Sequence, residues 1–373
     1  MLYRNRTIAK AVLSVAALLT VASTGLANAA DLPAVPVKAG PAPDVPFFLV
    51  NDNRLTYSYQ FTATDPGAFS TQPNGTINGT TAKQVYSFTH FDVWAYGTNL
   101  FNIDMLKSGH NDPASPCSPA GTLPFGPQGT CAGVTEFYGL ERSTFGWNEI
   151  FNTNAFKMGP LRNISFEVGA DIGTGNSYYA PSTNNLVAGL QFAFDLPYKG
   201  YINVAPLVVK GLASHKSFLQ CGLFSPGVPG VTCLADGNRV FPATWRIETN
   251  YYMDLGFLPE SIRYFAISGR VSLTGPKGDI NTLPALSGPG RLSTASKIEL
   301  NSEPIRLTFD AGKAFIGPKY SHFVDLWVAY RYWHNKYGLD SDATPGTCTV
   351  AATGASTNSC TEKSASAGIS VKF

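Results

Sequence analysis

The chain has 373 residues, of which 44% are hydrophobic, 12% aromatic and only 14% charged, against roughly 25% charged residues in ordinary globular domains. Lysine and arginine (27) nearly balance aspartate and glutamate (25), and the resulting net charge of +2 supplies no basic patch for a nucleic-acid partner. Low charge combined with 36 glycines and 17 tyrosines fits a chain that turns half of each strand towards lipid.

The N-terminal "MLYRNRTIAK" sets Arg4, Arg6 and Lys10 ahead of the apolar run "AVLSVAALLTVA", and Ala27-Asn28-Ala29 then offers small residues for cleavage. This pattern predicts a secretory signal peptide over 1–29. The run is short for a bilayer span, and nothing downstream approaches the ~20 continuous apolar residues of a membrane helix. An exported chain of this kind is periplasmic, secreted or an outer-membrane barrel. Next comes "ADLPAVPVKAGPAPDVPFF", whose closely spaced prolines favour extended polyproline geometry. It predicts a periplasmic leader over 30–50, with the folded barrel domain over 51–373.

From there the sequence alternates. "ISFEVGADIG" sets Ile164, Phe166, Val168, Ala170 and Ile172 against Ser165, Glu167, Gly169 and Asp171. "TWRIETNYYMDLG" sets Trp245, Ile247, Tyr251 and Met253 against Arg246, Glu248, Asn250 and Asp254, and the terminal "EKSASAGISVKF" sets Ile369, Val371 and Phe373 against Ser366, Gly368, Ser370 and Lys372. A period of two means strands with one apolar and one polar face. Such segments lie near Arg54–Ala63, Lys83–Ala95, Thr98–Leu106, Val134–Gly146, Asn163–Gly173, Asn185–Leu196, Tyr201–Leu212, Thr244–Leu255, Ile262–Thr274, Ile298–Phe309, Phe323–Asn335 and Ser364–Phe373. Most approach the ~9–11 residues of a tilted transmembrane strand. Short connections such as Tyr96-Gly97, "PYKG" and "FLPES" alternate with long ones rich in Gly, Pro, Ser and Thr. The fold class that follows is all-β, a transmembrane antiparallel up-and-down β-barrel of about 12 strands. A long "NEIFNTNAFKMGPLR" connection and a bulge near Glu303-Pro304 leave ten strands as the alternative.

Six cysteines fall in pairs, Cys117 with Cys131, Cys221 with Cys233 and Cys348 with Cys360, each inside one long connection and separated by 14, 12 and 12 positions. Fifteen pairings are possible for six cysteines, and confinement to single loops of an exported chain predicts three local disulfides. The close C-x₂₋₄-C spacing of a zinc site is missing, and no cofactor motif is present.

Parity assigns a water-filled interior to residues that no lipid face accepts cheaply, since Arg or Lys at the bilayer midplane costs about 2–4 kcal/mol. The predicted inward charges are His90, Asp92, Asp104, Glu136, Arg142, Glu167, Asp171, Arg246, Glu248, Asp254, Arg270, Arg306, Asp310, Asp325 and Arg331. Their mixed signs argue against strong anion or cation selectivity. The predicted inward aromatics are Tyr86, Phe88, Tyr138, Tyr252, Tyr264, Trp327 and Trp333. Rings beside ionic and amide groups form a surface on which a flat polar solute stacks, each stack being worth ~1–3 kcal/mol. No H-E-x-x-H or G-x-S-x-G occurs and "GADIGTG" is not a phosphate-binding loop, so the chain reads as a non-enzyme, with a barrel hydrolase assembled only in space as the alternative.

Three stretches carry a family resemblance: "FVDLWVAYRYWHNKYG", "EFYGLERSTFGWNEI" and "SFEVGADIGTGNSYYAPSTNNLVAGLQFAFDLPYKGYINVAPLVVK". They resemble the nucleoside-specific channel-forming outer-membrane proteins of the Tsx type, most specifically at "RYWH", Arg331–His334, ahead of a polar loop and a last strand ending in Phe. The resemblance implies a twelve-stranded monomeric barrel in the outer membrane of a Gram-negative bacterium, surrounded by lipid, with a narrow, aromatic-lined passage for nucleosides. The terminal Phe373 resembles the signal read by the outer-membrane assembly machinery. Long cysteine-bearing loops and the Pro-rich leader depart from that family, and they keep a surface receptor or adhesin barrel open beside the channel.

Overall fold

Successive side chains of a strand leave opposite faces, so the alternating segments can bury or expose a whole face only by pairing edge to edge. The computed structural model describes residues 47–117, 121, 131–176, 183–213, 243–277, 297–342, 348–350 and 353–373. The predicted signal peptide, the predicted leader up to residue 46 and the Cys221–Cys233 pair lie outside these residues. Twelve strands form one wall: β1 Phe48–Thr64, β2 Thr80–Trp94, β3 Gly97–Ser108, β4 Thr135–Gly146, β5 Leu161–Gly175, β6 Thr183–Leu196, β7 Gly200–Ala213, β8 Thr244–Asp254, β9 Phe265–Thr274, β10 Glu299–Asp310, β11 Val324–His334 and β12 Glu362–Lys372. Each pairs antiparallel with its chain neighbours, and β12 returns to β1 through Leu55↔Val371 and Tyr57↔Ile369, closing the barrel. Closure leaves no sheet edge and keeps the wall's backbone hydrogen bonds internal.

Twelve strands, not ten, are present, and the irregularity expected near Glu303-Pro304 is a register shift between Ser302 and Ile305. One boundary is corrected: β1 starts at Phe48 rather than Arg54, because Phe48 and Val50–Asn53 continue to pair with β2 between Trp94 and His90. The last residues assigned to the leader therefore belong to the barrel wall.

Contacts between strands that are not neighbours fix which parity faces inward. Arg142 on β4 reaches Glu248 on β8, and Arg246 on β8 reaches Asp171 on β5, so these four side chains point into the barrel. The opposite parity from β5 to β12 is apolar and exposed, including Phe166, Val168 and Ile172, then Val208, Ile247, Ile305, Leu307, Val328, Ile369 and Val371. At the end holding the short connections, Trp94 packs edge-on against Tyr96 (5.3 Å) and Phe145 (6.1 Å). There the β4–β5 connection forms a short helix, α1 (Trp147–Ile150), with Trp147 5.0 Å from Phe156 and 5.2 Å from Phe166. This is the aromatic girdle of a membrane barrel.

Long connections gather at the other end and build a small core of their own. Ala68, Phe69, Ala114 and Val134 are buried together with Ile77 and Val350 packed on them, while Leu339 is buried against Cys348 and Cys360. Disulfides Cys117–Cys131 and Cys348–Cys360 staple two of these connections, with Cα separations of 4.5 and 5.6 Å.

Candidate functional site

Inward parity brings together three tiers of charge along the lumen. In the middle tier Arg142 donates to both Glu248 oxygens, Nε to Oε2 at 3.0 Å and Nη2 to Oε1 at 2.7 Å, and to Asp171 Oδ1 at 2.8 Å. Arg246 donates to Asp171 Oδ2 at 2.6 Å, to Glu248 Oε1 at 3.2 Å and to Thr274 at 3.0 Å. Glu167 accepts from Gln191 at 2.8 Å. Both arginines are only 7% exposed. These planar forks suit carboxylates, and bonds from β4 to β8 and from β8 to β5 gird one side of the passage. Arg270 lies beside this tier, inward by its pairing with Asn250, and is exposed to the lumen without an ion pair among the described residues.

The tier nearest the long connections is closed by a loop. Lys336, just past β11, donates to Glu362 at 2.9 Å and to the Thr64 carbonyl at 2.5 Å. Glu362 is 2% exposed and also accepts from Gln60 at 2.6 Å, with Arg331 Nε 3.3 Å away. Trp333 donates to Glu299 at 2.7 Å, and Lys277 is ion-paired to the same carboxylate. Lys83 bridges Asp65 (3.1 Å) and Glu136 (2.6 Å).

At the short-turn mouth, Tyr201 and Tyr252 stack at 6.2 Å and 23°. Tyr252 donates to Asp254 at 2.6 Å and lies 3.1 Å from His322 Nε2, whose Nδ1 is 2.9 Å from Asp325 Oδ1. Arg54 donates to the other Asp325 oxygen at 2.7 Å. The hydrogen bond to Asp325 holds the His322 imidazolium above its ordinary pKa, against the opposing effect of burial, with Asp310 and Asp254 adding to it. Asp310, His322 and Asp325 have the donor types of a metal centre. Their oxygens are already engaged, however: Asp310 accepts from Lys313 N, His322 N and Ser321 Oγ, and Arg54 places a cation beside Asp325. Ser321 Oγ donates to the Asp310 carboxylate and His322 faces Asp325 and Tyr252, so Ser321 and His322 are not coupled to each other.

Of the residues predicted to line the lumen, the structure places Tyr138, Glu167, Asp171, Arg246, Glu248, Tyr252, Arg270, Trp327, Arg331 and Trp333 on the inner face. Four predictions are corrected. Tyr86, Phe88, His90 and Asp92 pair with Tyr57, Leu55, Asn53 and Asn51 on the outer parity of β1, so they face outward. Both parities of "KQVYSFTHFDVW" mix polar and apolar residues, and Lys83, ion-paired inside, fixes the true one. Tyr264 lies just before β9, at the rim rather than along the lined strand, with its ring 6.2 Å from Phe309 and under Lys313 at 5.6 Å. The two indoles are already covered, Trp327 by Arg306 at 4.0 Å and Trp333 by Lys336 at 4.2 Å and Arg331 at 4.8 Å. Sequence reasoning missed Tyr201, His322, Lys336 and Glu362. The strand parity carried a signal for Tyr201 and Glu362; the other two sit in connections, where no periodicity points.

No family model matches the sequence, and no curated protein matches it. Among solved structures the chain is similar to an outer-membrane channel from Pseudomonas putida F1 (10% identity, TM-score 0.40, covering 90% of this chain and 100% of that one). It is also similar to the translocator domain of an autotransporter from Neisseria meningitidis (10%, 0.37, covering 87% and 89%) and to a BenF-like porin from Pseudomonas fluorescens Pf-5 (9%, 0.33, covering 88% and 100%). Likenesses this distant add nothing to the strand pairing, which establishes the barrel by itself.

Proposed function

We propose that the chain is an outer-membrane channel for small polar solutes, and within that class for nucleosides. The observation that carries the reading is the inversion of polarity across a closed wall: an exposed apolar exterior with an aromatic girdle, and an interior of paired charges that only water and polar solutes would wet. Export through residues 1–29, and recognition of Phe373 by the outer-membrane assembly machinery, complete this reading. Phe373 ends the chain on the outward face, 66% exposed.

The narrower nucleoside reading rests on the Tsx-type resemblance and on the Tyr201–Tyr252 pair. Among the described residues Arg306 stacks on Trp327, and Arg331 and Lys336 on Trp333, while no cation is stacked on these tyrosines. A base stacked there would have Asp254, Asp325 and His322 within reach of sugar hydroxyls. Planar-bilayer recording of the refolded protein tests both levels. Nucleosides should reduce the ionic current saturably and free hexoses should not. Tyr252→Ala should weaken the block roughly 5- to 150-fold, the equivalent of ~1–3 kcal/mol of stacking. A current indifferent to every nucleoside leaves a general diffusion channel, and no current at all removes the channel reading.

A further inference from the structure

An arginine inside a barrel ordinarily settles against a carboxylate, as Arg142 and Arg246 do. Arg270 does not: inward by its pairing with Asn250 and exposed to the lumen, it makes no ion pair or hydrogen bond with any described residue. The carboxylates of Glu303, Asp104 and Glu248 lie within electrostatic reach of its guanidinium. Two of them are taken, Glu303 by Arg306 at 2.8 Å and Glu248 by Arg142 at 2.7 Å. Asp104 is the third, and it too has no ion pair among the described residues. Its strand, β3, stands diametrically opposite β9 in the ring of strands, and its side chain points inward beside Tyr138. A cation and an anion therefore face each other across the passage, close enough to interact and too far apart to pair.

Asp104 is held in place by its own wall. Asn102 donates to Asp104 Oδ1 at 2.8 Å and is itself fixed by the Thr89 hydroxyl, which donates to Asn102 Oδ1 at 2.6 Å; Asp104 Oδ2 keeps no partner among the described residues. The surroundings of each charge repeat its sign. On β9–β11, Arg270, Arg306 and Arg331 all act on the one carboxylate of Glu303, and Glu362, 3.3 Å from Arg331, is already neutralised by Lys336. On β3–β5, Asp104, Glu167 and Asp171 are offset by Arg142 and by Arg246 reaching over from β8. A lone anion drawn to Arg270 meets Asp104, and a lone cation drawn to Asp104 meets Arg270, so each loses on one wall what it gains on the other. A solute that carries both charges gains on both.

We infer that Arg270 and Asp104 form a site inside the lumen for small zwitterionic solutes of the amino-acid class, the carboxylate turned to β9 and the ammonium to β3. The inference rests on the channel reading above and goes beyond nucleosides, which carry neither charge. Liposomes holding the refolded full-length protein, diluted into isosmotic L-alanine or its uncharged isostere lactamide, swell as solute enters, and the ratio of the two rates cancels the number of pores. Two water-exposed ion pairs are worth roughly a 2- to 30-fold preference, so L-alanine should enter faster than lactamide by a factor in that range. Arg270→Gln and Asp104→Asn should each remove most of the preference. The exchanged pair, Arg270→Asp with Asp104→Arg, should restore it, because a zwitterion can turn end for end. Equal rates in the wild type, or a preference that survives in either single variant, overturn the inference and leave the channel reading standing. Liposomes that swell in neither solute overturn both.

Discussion

Arg142 shows how one side chain serves both stability and permeation. It neutralises two carboxylates from different strands, and removing it leaves Asp171 and Glu248 facing Arg246 alone. Breaking a buried pair by deleting one partner costs about 3–5 kcal/mol, so Arg142→Met should lower the temperature at which the barrel opens on unheated gels. It also removes a positive charge from the lumen, and the reversal potential in a KCl gradient should move towards that of K⁺; Glu248→Gln should move it the other way. At the short-turn mouth the relevant group is His322, whose pKa is raised chiefly by its hydrogen bond to Asp325. A raised folded-state pKa contributes stability that is complete below the ordinary imidazole value of about 6.5 and is lost as pH rises through the higher folded value. The opening temperature should therefore fall between pH 6 and pH 9, and His322→Gln should flatten that part of the profile. An unchanged slope in the variant would assign the pH response to another group.

Elements show where the sequence was legible and where it was not. Through the middle of β5, β8 and β12 one parity is almost wholly apolar, and reading alternation alone placed Glu167, Asp171, Arg246 and Glu248 on the inner face where they lie. β2 defeated the same reading, because its outer face carries His90 and Asp92 and its inner face Val85, Phe91 and Val93, so hydrophobicity no longer marks lipid. Loop residues such as Lys336 and His322 had no period to read, and their roles arise from chain reversal at strand ends. β12 also shows a constraint that hydropathy missed. A Cβ on Gly368 would collide with Trp327, which lies across it beneath Arg306. Gly368→Ala should cost about 1–3 kcal/mol by overpacking, read as a lower opening temperature, whereas Ala367→Ser on the outward parity should be nearly silent. The long connections were legible through their cysteines: two predicted bridges are present, and peptide mapping without reductant should find Cys221 joined to Cys233.

At the scale of the whole molecule, the two mouths of the barrel differ in kind. The short-turn mouth keeps its tyrosine pair and His322 at an opening between turns, while the opposite mouth is roofed by connections that share a buried core. The segment after β11 does the closing: Lys336 reaches Glu362 on β12 and the carbonyl of Thr64 at the end of β1, and the Tyr337 amide donates to Glu299 on β10 at 3.2 Å. One turn of chain is thereby fastened inside the wall formed by β10, β11, β12 and β1. Its other anchor is the Cys348–Cys360 bridge, whose two residues are buried together with Leu339. A bridge closing a loop of this length restricts the opened state by roughly 3 kcal/mol, a term confined to the roof because the wall's hydrogen bonds do not depend on it. Replacing both cysteines by Ser should therefore leave heat-dependent gel migration intact and raise the single-channel conductance, with added current noise as the roof opens and closes. Lys336→Met, which unfastens the same segment from Glu362, should raise conductance in the same direction. If both variants conduct as the wild type does, the roof is not what limits the current, and the middle tier of Arg142, Asp171, Arg246 and Glu248 becomes the constriction to widen next.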